Sequence, residues 1–254
     1  MKRASRFILI VLVLFFWVNY CLSHHALEYI EMESSSTAAK GWFVFHLHLD
    51  YMVDDKDNPR LDHWEYTPGL AYGITDRLMI DVHTHFAKFG VDHVVDSKKS
   101  QFEPYGPPPF MEAVAFALQY QITKDFPVDI SAAAVYELPF SRSKKLLDGK
   151  RVIKGILIMS KTFSNHANMT ANLTFGKDGD ETIKEWALGA KVPISRDPNG
   201  ISAGVELLGD FEGNLSVLGG IYFPLDPAGR IMLKTGIEIG KNSMRGNGTL
   251  MYLF

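Results

Sequence analysis

The sequence predicts an all-β protein, a transmembrane up-and-down antiparallel β-barrel of twelve strands. Three observations predict it: an export signal at the N-terminus, hydropathy that alternates with period two from Gly41 to the end, and an even number of alternating segments. The composition agrees without deciding. A chain of 254 residues that is 46% hydrophobic and 22% charged is neither a disordered tail nor a disulfide miniprotein. Its mean hydropathy of −0.01 is what alternation averages to.

Lys2, Arg3 and Arg6 precede an unbroken apolar run from Phe7 to Val18, followed by a short, mildly polar stretch to Ala26. A basic region, an apolar run too short to span a bilayer and a cleavage region make residues 1–26 a signal peptide. Tyr20 before Cys21 is too large for a lipoprotein signal. Cleavage after Ala26 removes three bases and no acid, leaving 23 Lys and Arg against 29 Asp and Glu, and removes the single Cys. Thiol catalysis and thiolate metal sites are thereby excluded from the mature chain, and its acidity gives no nucleic-acid footprint. Residues 27–40, with Glu28, Glu31 and Glu33, form a periplasmic or plug segment. Residues 41–254 form the barrel.

A strand sends successive side chains to opposite faces, so each segment can be divided into two sets. In 41–53, Phe43, Phe45, Leu47, Leu49 and Tyr51 oppose Val44, His46, His48, Asp50 and Met52. In 63–74, Trp64, Tyr66, Leu70, Tyr72 and Ile74 oppose His63, Glu65, Thr67, Gly69, Ala71 and Gly73. After the turn at 75–77, Leu78, Ile80, Val82, Thr84 and Phe86 oppose Met79, Asp81, His83, His85 and Ala87. In 111–122, Val114, Phe116, Leu118, Tyr120 and Ile122 oppose Ala113, Ala115, Ala117, Gln119 and Gln121. Further strands are expected over 128–139, 151–163, 167–176, 183–194, 201–211, 215–225, 230–240 and 246–254. The phase of 151–163 is ambiguous, since Ile153, Ile156, Leu157, Ile158 and Met159 break strict alternation.

Tight turns at 75–77, 124–127 and 164–166 alternate with longer connections at 54–60, 90–110 and 141–149, the asymmetry of a membrane barrel; it fades later, at 212–214. A soluble sandwich or lipocalin-like barrel would also alternate, with its apolar face inward. The hydrophilic face here is rich in Gly, Ala and Ser, an unusual solvent surface. Trp42, Tyr51, Trp64, Tyr72, Phe86, Tyr136, Phe163 and Trp186 near strand ends would make interfacial girdles. The terminal set Leu250, Tyr252 and Phe254 resembles the closing signal of bacterial outer-membrane barrels, which implies the barrel-assembly machinery and outer-membrane lipid as partners.

The stretch from Thr67 to Val82, with its Thr75-Asp76-Arg77 turn, resembles the strand-turn-strand unit of a family of outer-membrane channels associated with phenol degradation. The resemblance covers this hairpin closely and the others only in style. It implies an outer-membrane barrel that passes small solutes. The His-rich first strands depart from the family's pattern, so its substrates are not carried over.

Five of the nine His, namely His46, His48, His63, His83 and His85, share the hydrophilic face of the first three strands with Asp50, Glu65 and Asp81. Imidazole with carboxylate suits a divalent metal, so His46, His48, His63, Glu65, His83 and His85 are the candidate metal set. A proton-sensitive gate and a simple hydrogen-bonded lumen network are the alternatives. Estimated hairpin centres put His46 and His85 on either side of Thr67, about 10 Å apart at the backbone. Asp50, Asp81, Glu137, Glu206, Lys234 and Glu238 are expected to line the lumen, where acids favour cations.

Enzyme motifs are lacking: Ser131 and Ser202 have no nearby His in sequence, and there is no nucleophile elbow or phosphate loop. The reading is therefore a non-enzymatic channel or passive transporter for small solutes in the outer membrane of a Gram-negative bacterium. A metal-binding barrel without transport is the first alternative and a lipid hydrolase the second. No cofactor is expected beyond a divalent metal.

Overall fold

The structure is a computed structural model and describes residues 32–53, 62–89, 110–124, 126–140, 150–194, 200–226 and 228–254. The predicted signal peptide, with Cys21, lies outside the described residues, as do Glu28, Glu31 and the longest connections. Twelve strands close into one antiparallel barrel: β1 (Phe43–Val53), β2 (His63–Thr75), β3 (Leu78–Phe89), β4 (Phe110–Thr123), β5 (Asp129–Pro139), β6 (Val152–Thr162), β7 (Asn168–Asp178), β8 (Glu181–Pro193), β9 (Ser202–Asp210), β10 (Leu215–Pro224), β11 (Ile231–Ile239) and β12 (Met244–Leu253). Each pairs with its sequence neighbours, and β12 returns to β1. Phe43 and Phe254 exchange both backbone hydrogen bonds at that seam, N–H to O at 2.8 and 3.0 Å. Their rings stack at 5.7 Å. Closure leaves no row of unpaired backbone groups, the condition for a sheet immersed in hydrocarbon.

The apolar sets face outward. Leu49, Leu70, Ile80, Val82, Phe116, Leu118 and Tyr120 are all exposed, whereas Ala113, Ala115, Gln119 and Gln121 on the opposite face of β4 are buried. This is the inversion that separates a membrane barrel from a soluble one. At about 3.3 Å per residue and a tilt near 40°, a strand of about eleven residues rises about 28 Å, enough for the hydrocarbon layer. Trp42, Tyr51, Trp64 and Tyr136 are exposed as expected of a girdle. Tyr72 is half-buried because its ring lies 4.7 Å from that of Phe43, and Tyr66 stacks on Phe86 at 5.5 Å.

Strand β6 resolves its phase against the barrel interior. Ile156 and Ile158 point inward and pack with Ala115 and Val135, so this strand is apolar on both faces. The interior there is filled with side chains. Loop asymmetry holds only for the first half: at the end carrying the long connections 54–62, 90–109 and 140–151, the later turns at 179–180, 211–214 and 240–243 are tight. The Asp210 carboxylate closes one of them, accepting the backbone N–H groups of Glu212, Gly213 and Asn214.

Residues 32–40 run into the barrel from the end that carries the β2–β3 turn. Lys40 N–H donates to Asp76 Oδ1 there, at 3.1 Å. Deeper in, Gln119 Nε2 donates to the carbonyls of Ser34 and Ser36, the Ser131 hydroxyl to that of Ser35, and Asn172 Nδ2 to that of Glu33. Met32 N–H reaches the Glu206 carboxylate at 3.1 Å. Met32, Ser34 and Ser35 are buried. Gly73 makes the passage possible, since a β-carbon at that position would collide with the Ala38 and Ala39 carbonyl oxygens.

Candidate functional site

The site begins with two short patterns, His46-Leu47-His48 on β1 and Asp81-Val82-His83-Thr84-His85 on β3, each placing its polar members on the inner face. Strand β2 lies between them. In the register, His46 and His83 are both partners of the same residue, Gly69. This corrects one half of the expected flanking of Thr67 by His46 and His85: His85 stands beside Thr67, but the β1 partner of Thr67 is His48. The β1–β2 register is offset by two from the estimate, the shift that a difference of one in the assumed hairpin centre produces.

Gly69 has the consequence that matters. A β-carbon there would overlap the His46 ring and lie 2.7 Å from His83 Cβ. Without one, the His46 ring crosses β2 to reach the Asp81 carboxylate on β3, which His83 meets from two residues along the same strand. His46 Nε2 lies 2.7 Å from Asp81 Oδ2 and His83 Nδ1 lies 2.7 Å from Asp81 Oδ1. The three donor atoms lie within 4.8 Å of one another. Side-chain exposures of 13%, 15% and 21% for His46, Asp81 and His83 leave the cluster an open side.

The chain of contacts continues beyond the triad. His48 Nε2 is 3.1 Å from His46 Nδ1, and His48 Nδ1 is 3.0 Å from the Thr249 hydroxyl on β12. The pattern is self-consistent for neutral rings: Thr249 donates to His48, His48 to His46, and His46 to Asp81. His85 stands at the other edge, with Nδ1 3.4 Å from the Thr67 hydroxyl and Nε2 3.9 Å from Glu137 Oε2. His63 pairs with Glu65 at 3.1 Å. The structure thus brings His46 and His83 together with Asp81, sets His48 behind His46, and leaves His63, Glu65 and His85 as separate neighbours. Asp81 enters the cluster although the sequence offers it only as a lumen charge.

The other expected lumen charges also face inward. Asp50 accepts from Asn247 Nδ2 at 3.1 Å, and Glu238 accepts from the Ser216 hydroxyl at 2.6 Å with Arg245 3.8 Å away. Glu206 and Lys234 are buried, and Tyr222 donates its hydroxyl proton to Glu206 at 3.2 Å. Gly69 and Thr249 are the features the sequence does not announce, and it leaves open whether residues 27–40 lie in the periplasm or inside the barrel. Gly69 carries a signal in retrospect, as a small residue between two His-bearing strands.

Between the segment 32–39 and the inner faces of β1–β6 and β12 lies a cavity of about 590 Å³. Its wall includes the five residues His46, His48, Asp81, His83 and His85. Six carboxylates, of Glu33, Asp50, Glu65, Asp81, Asp129 and Glu137, oppose three cations, Lys124, Lys154 and Arg245, in the same wall.

No protein-family model matches the chain, and no curated protein sequence matches it. Solved structures do. KdgM porin in complex with disordered oligogalacturonate aligns with a TM-score of 0.54 at 7% identity, over 82% of this chain and 98% of that one. KdgM porin alone aligns at 0.53 and 8% identity over the same shares. The Ralstonia pickettii toluene transporter TbuX aligns at 0.45 and 10% identity, over 85% of this chain and 90% of that one. At these identities the KdgM alignments show a shared barrel fold.

Proposed function

We propose that this protein is an outer-membrane channel or passive transporter for small solutes, placed in lipid after cleavage of residues 1–26. The observation that carries the reading is a closed barrel, apolar outside, around a cavity of about 590 Å³ whose wall carries His, carboxylate and cationic side chains. That volume is in the range that holds one small molecule. The segment 32–40 narrows the lumen and confines passage to the side lined by β1–β6. The excess of carboxylates over cations in that wall favours cations and neutral solutes. It suits a polyanion such as the oligogalacturonate bound to KdgM porin poorly. The strand ending at Phe254 is the element offered to the assembly machinery.

A hydrolase reading gains nothing from the site, because the Ser131 hydroxyl is buried and donates to the Ser35 carbonyl. Two preparations of folded protein in planar bilayers test the channel: the mature chain and a chain beginning after Lys40. Both should conduct, with a larger current and a reversal potential still favouring cations in the shortened form. Absence of conductance and of solute flux from both would overturn the reading.

A further inference from the structure

We propose that His46 Nε2, His83 Nδ1 and an Asp81 carboxylate oxygen form a divalent-cation site in the lumen wall, selective for borderline ions such as Zn²⁺. Two imidazoles and one carboxylate are a donor set for such ions and a poor one for Mg²⁺ or Ca²⁺, which take oxygen ligands.

The geometry needs little adjustment. Metal–ligand bonds of about 2.0–2.1 Å put the donors of a tetrahedral site about 3.3 Å apart. Each imidazole nitrogen lies 2.7 Å from a different Asp81 oxygen and the three donors lie within 4.8 Å of one another, so loading parts a bonded pair by about half an ångström and draws the remaining donors in to about 3.3 Å. The open side of the cluster faces the cavity, which leaves room for water as a fourth ligand. His48 supports the site from behind through His46 Nδ1, and the Thr249 hydroxyl supports His48. Such outer partners orient a ligating ring. When His46 Nε2 binds metal, its proton is held on Nδ1 and donated to His48 Nε2, while His48 donates through Nδ1 to Thr249. Every ring remains neutral and keeps one proton.

Gly69 is the independent sign that the cluster is built. Two pairs of His on strands separated by a third could each have bonded within their own strand. The absence of a side chain at Gly69 is what lets His46 cross to Asp81.

This inference deepens the proposed channel by naming an occupant of its lumen, yet it is read separately: binding is measured on folded protein whether or not the barrel conducts, and conductance is measured in chelator. The mature chain, refolded in detergent and checked by heat-modifiable gel migration, is titrated with Zn²⁺ by calorimetry and with Co²⁺ by visible absorption. One ion should bind per chain, with d–d bands of a low-coordinate, nitrogen-containing Co²⁺ site, and Mg²⁺ should not compete. Asp81→Asn and the double variant His46→Ala/His83→Ala should each weaken binding at least 100-fold, with His166→Asn unchanged. His48→Ala should weaken it about 10-fold. Absence of binding to folded wild type, equal binding by the double variant, or loss with His63→Ala alone overturns the site.

Discussion

Replacing Gly69 by Ala tests the packing on which the lumen cluster depends. The new β-carbon would sit 2.7 Å from His83 Cβ and inside the contact distance of the His46 ring. Carbon atoms pack at about 3.5–4.0 Å, so the His46 ring must retreat by about 1 Å. That stretches the 2.7 Å bond from His46 to Asp81 to roughly 3.7 Å, beyond hydrogen-bonding range. Loss of a bond to a charged group costs about 1.5–3 kcal/mol, and overpacking costs about 1–3 kcal/mol more. Against this stands a gain of about 0.4–1 kcal/mol from restricting the unfolded chain. The loss wins, with a net destabilisation of about 3 kcal/mol. Reversible urea unfolding in lipid vesicles, followed by the fluorescence of the three Trp residues of the mature chain, Trp42, Trp64 and Trp186, measures it. Repeating the substitution in a His46→Ala background should reduce its cost by about 2 kcal/mol, because the displaced ring and its bond are already gone. The remaining cost reflects His83 Cβ. A Gly69→Ala protein as stable as wild type, or an equal cost in both backgrounds, would refute the argument that Gly69 holds the gap for His46.

Three other substitutions probe the rest of the barrel. Leu118→Lys, on the exposed face of β4, should destabilise the protein by about 2–4 kcal/mol in vesicles and reduce membrane insertion, whereas a soluble barrel would tolerate it; unfolding in lipid decides. Glu206→Ala removes the acceptor of both Met32 N–H and the Tyr222 hydroxyl, and should cost about 2–4 kcal/mol and expose residues 32–40 to protease; unchanged proteolysis would separate the segment from Glu206. In the β10–β11 turn, the Ile231 N–H and then Arg230 hold the Asp226 carboxyl below its usual range. Because the folded value is depressed, its contribution is present above the unfolded value near 3.9 and is lost as pH falls through the folded one. Asp226→Asn should therefore flatten the acid limb of stability below about pH 4, read by unfolding midpoints at stepped pH.

The two faces of the barrel were legible because period two is a local property. The outward set Phe116, Leu118 and Tyr120 and the inward set Ala115, Ala117 and Gln119 need no tertiary information to separate. Strand β6 resisted because Ile156 and Ile158 fill the interior beside Val135, and an apolar interior erases the contrast that reveals phase. The members of the lumen cluster were legible, but their convergence was not. It depends on hairpin register, and the β1–β2 connection admits turn centres one residue apart that send His46 to different partners. Asp81 looked like one lumen charge among several because its role comes from two rings on other positions of the sheet.

The sequence left the interior course of residues 32–40 open beside a periplasmic one for a different reason, and that reason bears on what the segment does. Its bonds to the wall run through the backbone carbonyls of Glu33, Ser34, Ser35 and Ser36, which side-chain identity does not encode. The corresponding signal lies on the wall. Gln119, Ser131 and Asn172 are buried polar residues on three different strands, with no charge among them, and each supplies a donor. Buried donors must be matched, and a guest chain inside a barrel has unpaired carbonyls to match them with. Gln119, Ser131 and Asn172 hold the segment at its carbonyls and Glu206 holds it at Met32 N–H, while the His and carboxylate side chains of β1–β3 remain turned toward the cavity that the segment leaves open.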